Sequence, residues 1–337
     1  MKKVLKGILI FMLILIILAC ILVGAGYFYI KSKINKIEYV EVVPEEIEVN
    51  EGVIEQLTGY RNIALLGIDS RADDYGTGNR SDCIIIASIN NDTKEVRLAS
   101  VYRDTYLKIN NSLDKVTHAY SYGGAALTLS TLNTNLDLDI TEFITVNFDA
   151  VVDLVDCVGG VEIEIQEDEL KYINGYISEV SKITKTPTKL ITTSGLQTLT
   201  GVQAVAYSRI RYTSGGDYKR AERMRTVVEA VVKKAKTKNI NELINIMNTM
   251  LPKVSTNINS DEIIKLLPQL VSYEIVDSIG WPYEVRGITL DRWYGVPITL
   301  EENVTKLHET LFGEVGYVPS EKVKSISQSI INKTGYR

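Results

Sequence analysis

Apolar residues run without a break from Gly7 to Ile30, and lysines flank the run at Lys2, Lys3 and Lys6 and again at Lys31 and Lys33. About 20 apolar residues span a bilayer, so the pattern predicts one transmembrane helix over 7–30 behind a cytoplasmic tail of residues 1–6. A cleaved leader has a shorter apolar stretch and a small-residue cleavage site. Gly24-Ala25-Gly26 is followed by further apolar sequence. So is Ile17-Leu18-Ala19-Cys20, which resembles a lipidation site. Lysines at both ends leave the positive-inside rule little to decide. The tail, however, is too short to fold, so the working part is expected outside the cell, held to the membrane by this anchor.

Residues 31–59 read as a linker, acidic around Pro44-Glu45-Glu46. From Tyr60 the pattern turns globular. Asn62–Ile68 and Cys83–Ile89 are almost wholly apolar, the mark of strands buried on both faces. Asn90-Asn91-Asp92-Thr93-Lys94 is turn chemistry, and Glu95–Val101 returns as the partner of a hairpin. Gly123-Gly124 opens a helical segment running to Leu136. Ile140–Phe148 alternates as a strand, and Asp149–Val158 reads as a helix closed by Gly159-Gly160. Val161–Ile165 is a strand with Glu162 and Glu164 on one side, and Glu167–Thr193 is a polar excursion. Helices are predicted over Leu196–Ile210, Tyr218–Lys236, Asn239–Met250, Asp261–Leu267 and Leu300–Phe312, with a strand near Val285–Leu290. Alternating strands and helices predict a layered α/β/α domain over 60–313 around a central sheet that the hairpin makes mixed. The polar tail 314–337 is expected to be loosely ordered.

Composition narrows the function. An apolar content of 45% supports a full core. A net charge of -5 and a pI near 5.4 exclude nucleic acid as a bulk electrostatic partner. Three cysteines make no disulfide framework, and Cys83 and Cys157, among apolar neighbours, read as buried free thiols. The two histidines, His118 and His308, argue against a zinc centre or a histidine-based phosphotransferase. His118 reads as a packing or helix-start residue.

The candidate chemistry lies at the strand ends. A turn centred on Asp92-Thr93 sets Asp82 opposite Arg103. If Asn62–Ile68 pairs parallel with Glu95–Val101, Asp69 ends beside Arg103 and Asp104. Carboxylates and guanidiniums gathered in this way hold a divalent cation and phosphate, because a hard cation takes carboxylate oxygens and arginine forks match phosphate. Arginine is absent between Arg103 and Arg209. Then Arg209, Arg211, Arg220, Arg223 and Arg225 fall close together. With Arg80 and Arg103 they suffice for a polyphosphate pocket, and a solvated salt-bridged helix is the plainer reading of the five alone. Asp217 stands between capping the next helix and orienting an arginine. Gly123-Gly124 could offer backbone N–H groups to phosphate or serve a turn. Ile84, Ile86, Val151 and Leu154 could line a groove for an apolar ligand, though ordinary core is the reading periodicity favours.

Gly67-Ile68-Asp69-Ser70-Arg71, Arg80-Ser81-Asp82, Tyr102-Arg103-Asp104-Thr105, Asn147-Phe148 to Gly159-Gly160-Val161, Tyr207-Ser208-Arg209-Ile210-Arg211 and Gly216-Asp217-Tyr218-Lys219-Arg220-Ala221-Glu222-Arg223 follow in an order that resembles the LytR-CpsA-Psr family. The resemblance implies a magnesium-dependent, extracytoplasmic phosphotransferase, with manganese as the alternative ion. Such an enzyme moves a glycopolymer from a polyprenyl-pyrophosphate carrier to peptidoglycan. The polymer would be wall teichoic acid, capsule or a secondary polysaccharide. By position, Asp69 and Asp82 fall where relatives hold the metal. Arg80, Arg103, Arg209 and Arg211 fall where they hold pyrophosphate, and Arg220 and Arg225 join that set. Asp104 is a candidate base for the acceptor hydroxyl, or an orienter of Arg103. Tyr102 stands where the family usually has proline, and Arg225 where it often has glutamine. A hydrolase using water as acceptor, or a non-enzymatic wall-binding or regulatory protein, are the alternatives.

Overall fold

The structure is a computed structural model that describes residues 38–39, 47–70, 74–259, 262–263 and 266–337. The predicted anchor lies outside the described residues. Among those described, no helix is long and apolar enough to cross a membrane.

Strands β1 (Glu38–Tyr39), β2 (Tyr60–Ile68), β3 (Ser81–Asn90), β4 (Glu95–Val101), β7 (Glu142–Val146), β10 (Val254–Thr256) and β11 (Glu274–Trp281) form one sheet, in the order β1-β10-β7-β2-β3-β4-β11. Between these come two smaller antiparallel pairs. One is β5 (Tyr106–Ile109) with β6 (Ser112–Lys115), the other β8 (Val161–Ile165) with β9 (Gly195–Leu199). A third pair, β12 (Val285–Thr289) with β13 (Trp293–Pro297), follows β11. The main sheet is mixed. β2 runs antiparallel to β3 and parallel to β7, while β4 is antiparallel to β3 and parallel to β11.

The expected parallel contact between Asn62–Ile68 and Glu95–Val101 does not form, because β3 lies between them. Its Cys83–Ile89 run is apolar at successive positions, so only a central place covers both of its faces.

Side chains alternate across the sheet. Leu66, Ile68, Ile84, Ile86, Ala99 and Val101 point to one face. There they join the helices α2 (His118–Leu136), α8 (Leu300–Phe312) and α9 (Glu321–Thr334) in a single core, α1 being the short turn Val53–Gln56. On the opposite face, Ile85, Ala87 and Leu98 pack with Val228 of α6 (Gly216–Ala235). A second apolar cluster joins α3 (Phe148–Cys157), β8, α4 (Glu167–Thr184), α5 (Gly201–Ser208) and Val227 of α6. The helix α7 (Ile240–Met250) adjoins α3.

Three expectations change. The polar excursion contains the amphipathic α4, which starts on three acidic residues and buries Ile173, Ile177 and Val180. The helix expected over Leu196–Ile210 begins only at Gly201. Thr200 and Gln203 form a reciprocal capping box there, and Gly195–Leu199 pairs as a strand instead. The C-terminal tail is a helix whose Val323, Ile326 and Ile330 enter the main core. It is fastened through Asp137. The Asp137 carboxylate accepts from Ser320 N–H at 2.7 Å, Ser320 Oγ at 2.6 Å and Asn50 Nδ2 at 2.6 Å. Of the predicted helix at Asp261–Leu267, residues 261, 264 and 265 lie outside the described residues, and Glu262, Ile263 and Leu266 are helical.

Candidate phosphate-binding site

The β3–β4 register pairs Ile85 with Ser100 and Ile86 with Ala99. Counted onward, it sets Asp82 opposite Arg103, and Arg103 Nη1 lies 2.8 Å from Asp82 Oδ1. Just past β2, the Asp69 N–H donates to the Arg80 carbonyl at 3.1 Å, so the first two motifs close on each other. Arg71 lies outside the described residues.

The second half of the site arrives from α5 and α6. Arg220 is 4% exposed at its side chain, and its Nη2 donates to Asp82 Oδ2 at 2.9 Å. Arg220 Nη1 also donates to Asp217 at 3.1 Å, and Arg211 Nε stands 3.3 Å from the same carboxylate oxygen. Asp217 therefore orients two arginines and makes no side-chain cap. The residue preceding α6 is Gly215, in the left-handed region. Arg209 ends α5. Its Nη2 donates to Glu179 at 2.9 Å, and its guanidinium lies 5.0 Å from the centre of the Phe148 ring. Arg209 Nη1 is buried and has no hydrogen-bond partner among the described residues, as is Arg103 Nε. Buried donors of this kind call for an acceptor.

Asp69, Arg80, Asp82, Arg103, Arg209, Arg211 and Arg220 line one cavity of about 510 Å³, with Phe148, Tyr176 and Tyr212. Five guanidiniums outnumber two carboxylates, so the cavity is formally positive and suits an anion. Two predicted members fall elsewhere. Arg225 is roughly 140° around the helix from Arg220 at the usual helical step. It points toward β11, where Nε donates to Ser278 Oγ at 3.0 Å. Burial there holds its pKa below the usual arginine range. Asp104 faces an adjoining cleft of about 310 Å³ that shares Arg103. Asp104 Oδ1 sits 2.8 Å from Lys115 Nζ.

Arg223, on the same face as Arg220 by helical spacing, is a structural clamp. It is 1% exposed and reaches Glu169, the Ile210 carbonyl and Thr213 Oγ1. His118 opens α2 with Nδ1 2.8 Å from Asp114 Oδ2, and Gly123-Gly124 interrupt that helix.

Next to the arginine cavity lies an apolar one of about 390 Å³. Leu65, Cys83, Ile85, Ile144 and Val146 form its floor. Val151 and Leu154 of α3, with Val205, Val227, Val228 and Val231, form its walls. Of the four residues considered for a lipid groove, Val151 and Leu154 line this cavity, while Ile84 and Ile86 belong to the opposite core. Asp82 and Phe148 line both cavities. Burial pushes the Cys83 thiol up to about 12, so it stays a neutral part of the wall.

Sequence reasoning missed Phe148 as a lining residue, though Asn147-Phe148 stood among the family motifs. It also missed Tyr176, Tyr212 and Glu179. The sparse apolar spacing of Glu167–Thr193 gave no sign of Tyr176 or Glu179.

Two carboxylates reach the arginine cavity, and among the described residues no group of three or more His, Cys, Asp or Glu could hold a metal. The donor set fits magnesium of the kind bound by one or two carboxylates plus substrate phosphates. Each Asp82 oxygen accepts from a guanidinium yet keeps a further lone pair.

The strand ends of the mixed sheet thus carry an arginine-lined pocket beside an apolar cavity. The chain belongs to the LytR_cpsA_psr family, whose profile matches residues 26–309. It is 33% identical over 210 residues to the polyisoprenyl-teichoic acid–peptidoglycan teichoic acid transferase TagU of Enterococcus faecalis, covering 61% of this chain and 64% of that protein. It is 32% identical over 234 residues to the corresponding transferase TagT of Bacillus subtilis, covering 67% and 70%. A solved structure described as TagT bound to LI-WTA superimposes with a TM-score of 0.57 at 25% identity, over 88% of this chain and 94% of that one.

Proposed function

We propose that this protein is a membrane-anchored, extracytoplasmic phosphotransferase that moves a glycopolymer from a polyprenyl-pyrophosphate carrier to a hydroxyl of peptidoglycan. One observation carries the reading: the arginine cavity and the apolar cavity meet at Asp82 and Phe148. Their junction suits a ligand with a doubly charged head and a long hydrocarbon tail. Relatives named as teichoic acid transferases support a wall polymer as cargo. Wall teichoic acid, capsule and secondary polysaccharide share the required linkage.

The acceptor oxygen attacks the polymer-side phosphorus. The bond from that phosphorus to the bridging oxygen breaks, and polyprenyl phosphate leaves with the electron pair while the hydroxyl proton goes to a base or solvent. Polyprenyl phosphate is a good leaving group, so no general acid is needed. The chain's work is therefore placement and charge neutralisation. Arg103 and Arg220 are held rigid by Asp82, and Arg211 by Asp217. Arg209, with one donor free of other partners, is set to take a phosphate oxygen. Asp69 and Asp82 would hold a magnesium or manganese ion, which supplies Lewis-acid stabilisation of the phosphate oxygens when bound.

A defined lipid-linked donor incubated with and without peptidoglycan tests the reading. Transfer only with acceptor is expected, and release of polymer phosphate to water at an equal rate would make the protein a hydrolase. An Arg209→Lys variant should lose donor affinity or rate by about tenfold, since one charge-assisted contact is worth on the order of 1.5–3 kcal/mol. Arg61→Lys, whose arginine pairs with Glu142 and Glu262 away from the cavity, is the comparison.

A further inference from the structure

Beside the arginine cavity, across Arg103, lies the cleft of about 310 Å³ to which the mechanism gave no occupant. We infer that this cleft is the acceptor subsite, built to stack the sugar rings of a glycan strand on Trp293. The inference rests on the transfer reaction proposed above.

The platform is made by two glycines. In the β12–β13 hairpin, Gly287 pairs with Gly295, and Trp293 with Thr289. A Cβ added at Gly287 would lie 2.8 Å from Trp293 Nε1 and 3.2 Å from both Cε2 and Cζ2. Those three atoms lie along one edge of the indole, so that edge rests against the glycine and a ring face is left open to the cleft. At Gly295 a Cβ would lie 3.6 Å from Cη2 of the same ring and 3.7 Å from the Tyr218 hydroxyl. A larger residue at Gly287 would lift the ring, whereas at Gly295 a Cβ makes only ordinary contact with it. Trp293 remains 42% exposed, although most large apolar side chains of this hairpin and its neighbours are covered.

The hairpin is also tied to the reaction centre. Gly295 N–H donates to the Asp104 carbonyl at 2.9 Å, and Thr105 bridges to Gly295 in parallel. The platform thus moves with the Arg103-Asp104 pair. Tyr102 and Tyr218 pack edge to face at 4.6 Å and form another wall. The charged groups that line the cleft are Arg103, Asp104 and Asp217.

A pyranose has one face of C–H groups and a rim of hydroxyls. An exposed aromatic face accepts the first, and carboxylates accept hydrogen bonds from the second. A hydrocarbon chain would take water from the charged lining of Arg103, Asp104 and Asp217 and return no hydrogen bond, which disfavours a second lipid site. Because Arg103 lines both the cleft and the pyrophosphate cavity, a hydroxyl held in the cleft is delivered beside the phosphorus. Trp293 is then a positioning residue for the acceptor, and Asp104 stands where the hydroxyl proton must leave.

The chain carries two tryptophans, and Trp281 is fully buried. Intrinsic fluorescence of the full chain in detergent therefore reports Trp293 as its exposed component. Soluble, uncrosslinked peptidoglycan strands titrated into it should shift that emission to the blue and saturate, and Trp293→Phe should remove the shift. In the transfer assay Trp293→Ala should raise the acceptor KM by about tenfold with donor KM and kcat little changed, and Trp293→Phe should recover most of the loss. An emission that stays put at saturating strands, or an acceptor KM that Trp293→Ala leaves alone, overturns the inference. Inorganic pyrophosphate titrated separately reads the arginine cavity. Its failure to bind would count against the phosphotransferase, while the glycan titration still decides the fate of the cleft.

Discussion

The two faces of the central sheet are made of the same strands and similar residues, yet one is solid and the other hollow. Ile84 and Ile86 enter a continuous core under α2, α8 and α9. Their immediate neighbours Cys83 and Ile85 look into a cavity of about 390 Å³. The difference lies in what covers each face. The solid face receives helices that lie flush on it. The hollow face is spanned by α3, α5 and α6, whose valines and leucines meet over a gap. Hydrophobicity thus fills a core on one side and lines an open cavity on the other.

The largest effect should come where the hollow face meets the anion pocket. Asp82→Asn removes the charge that holds Arg103 and Arg220, and turnover should fall by at least about a hundredfold, the scale of losing a preorganised electrostatic contact. Near wild-type rates with a defined donor would show that those arginines need no anchor. On the solid face, Leu132→Ala should cost about 2–5 kcal/mol in denaturant unfolding, whereas Leu154→Ala on the cavity wall should cost less than about 1 kcal/mol. Equal losses would mean the cavity wall is packed as tightly as the core. Filling space sharpens the contrast further. Ala99→Phe should destabilise by about 1–3 kcal/mol. Val151→Phe should keep the melting temperature and weaken polyprenyl-pyrophosphate binding by about tenfold, or roughly 1.4 kcal/mol. Unchanged binding there would move the lipid elsewhere.

The smallest effect concerns pH. His308 is buried beneath the solid face, with Nε2 3.0 Å from the Leu136 carbonyl, and desolvation lowers its pKa. The unfolded chain then takes up this proton at a higher pH than the folded one. Stability from this residue is present above the ordinary histidine value of about 6.5 and is lost as pH falls below it. His308→Gln should flatten that part of the stability profile. A wild-type melting temperature that rises on acidification through this range would contradict it.

Much of this was legible from residues. The hairpin turn fixed the Asp82–Arg103 register because side-chain alternation tolerates no slip of one. The uneven arginines pointed to a pocket, and the order of motifs pointed to the family. The strand order was not legible, since periodicity says that β3 is buried but not which neighbours bury it. The arginines of α6 were only partly sorted. Arg220, Arg223 and Arg225 look alike in a list, and their helical angles send them to Asp82, Glu169 and Ser278. Trp293 carried no local signal at all, because its setting depends on Gly287 across the hairpin. The C-terminal helix looked polar because it offers the core a narrow stripe.

That last helix carries a consequence for how the molecule is made. The Asp137 carboxylate gathers Asn50 and Ser320, two residues 270 positions apart that also bond to each other. A chain emerging from its N-terminus cannot complete this junction until nearly all of it is available. Until then α2 lacks the cover that Val323, Ile326 and Ile330 provide, and an apolar flank stands open to other unfinished chains. A product cut short before residue 320 would keep every residue of the anion pocket and still be prone to aggregate. Integrity of the far end, rather than of the site, would govern how much working protein a cell obtains.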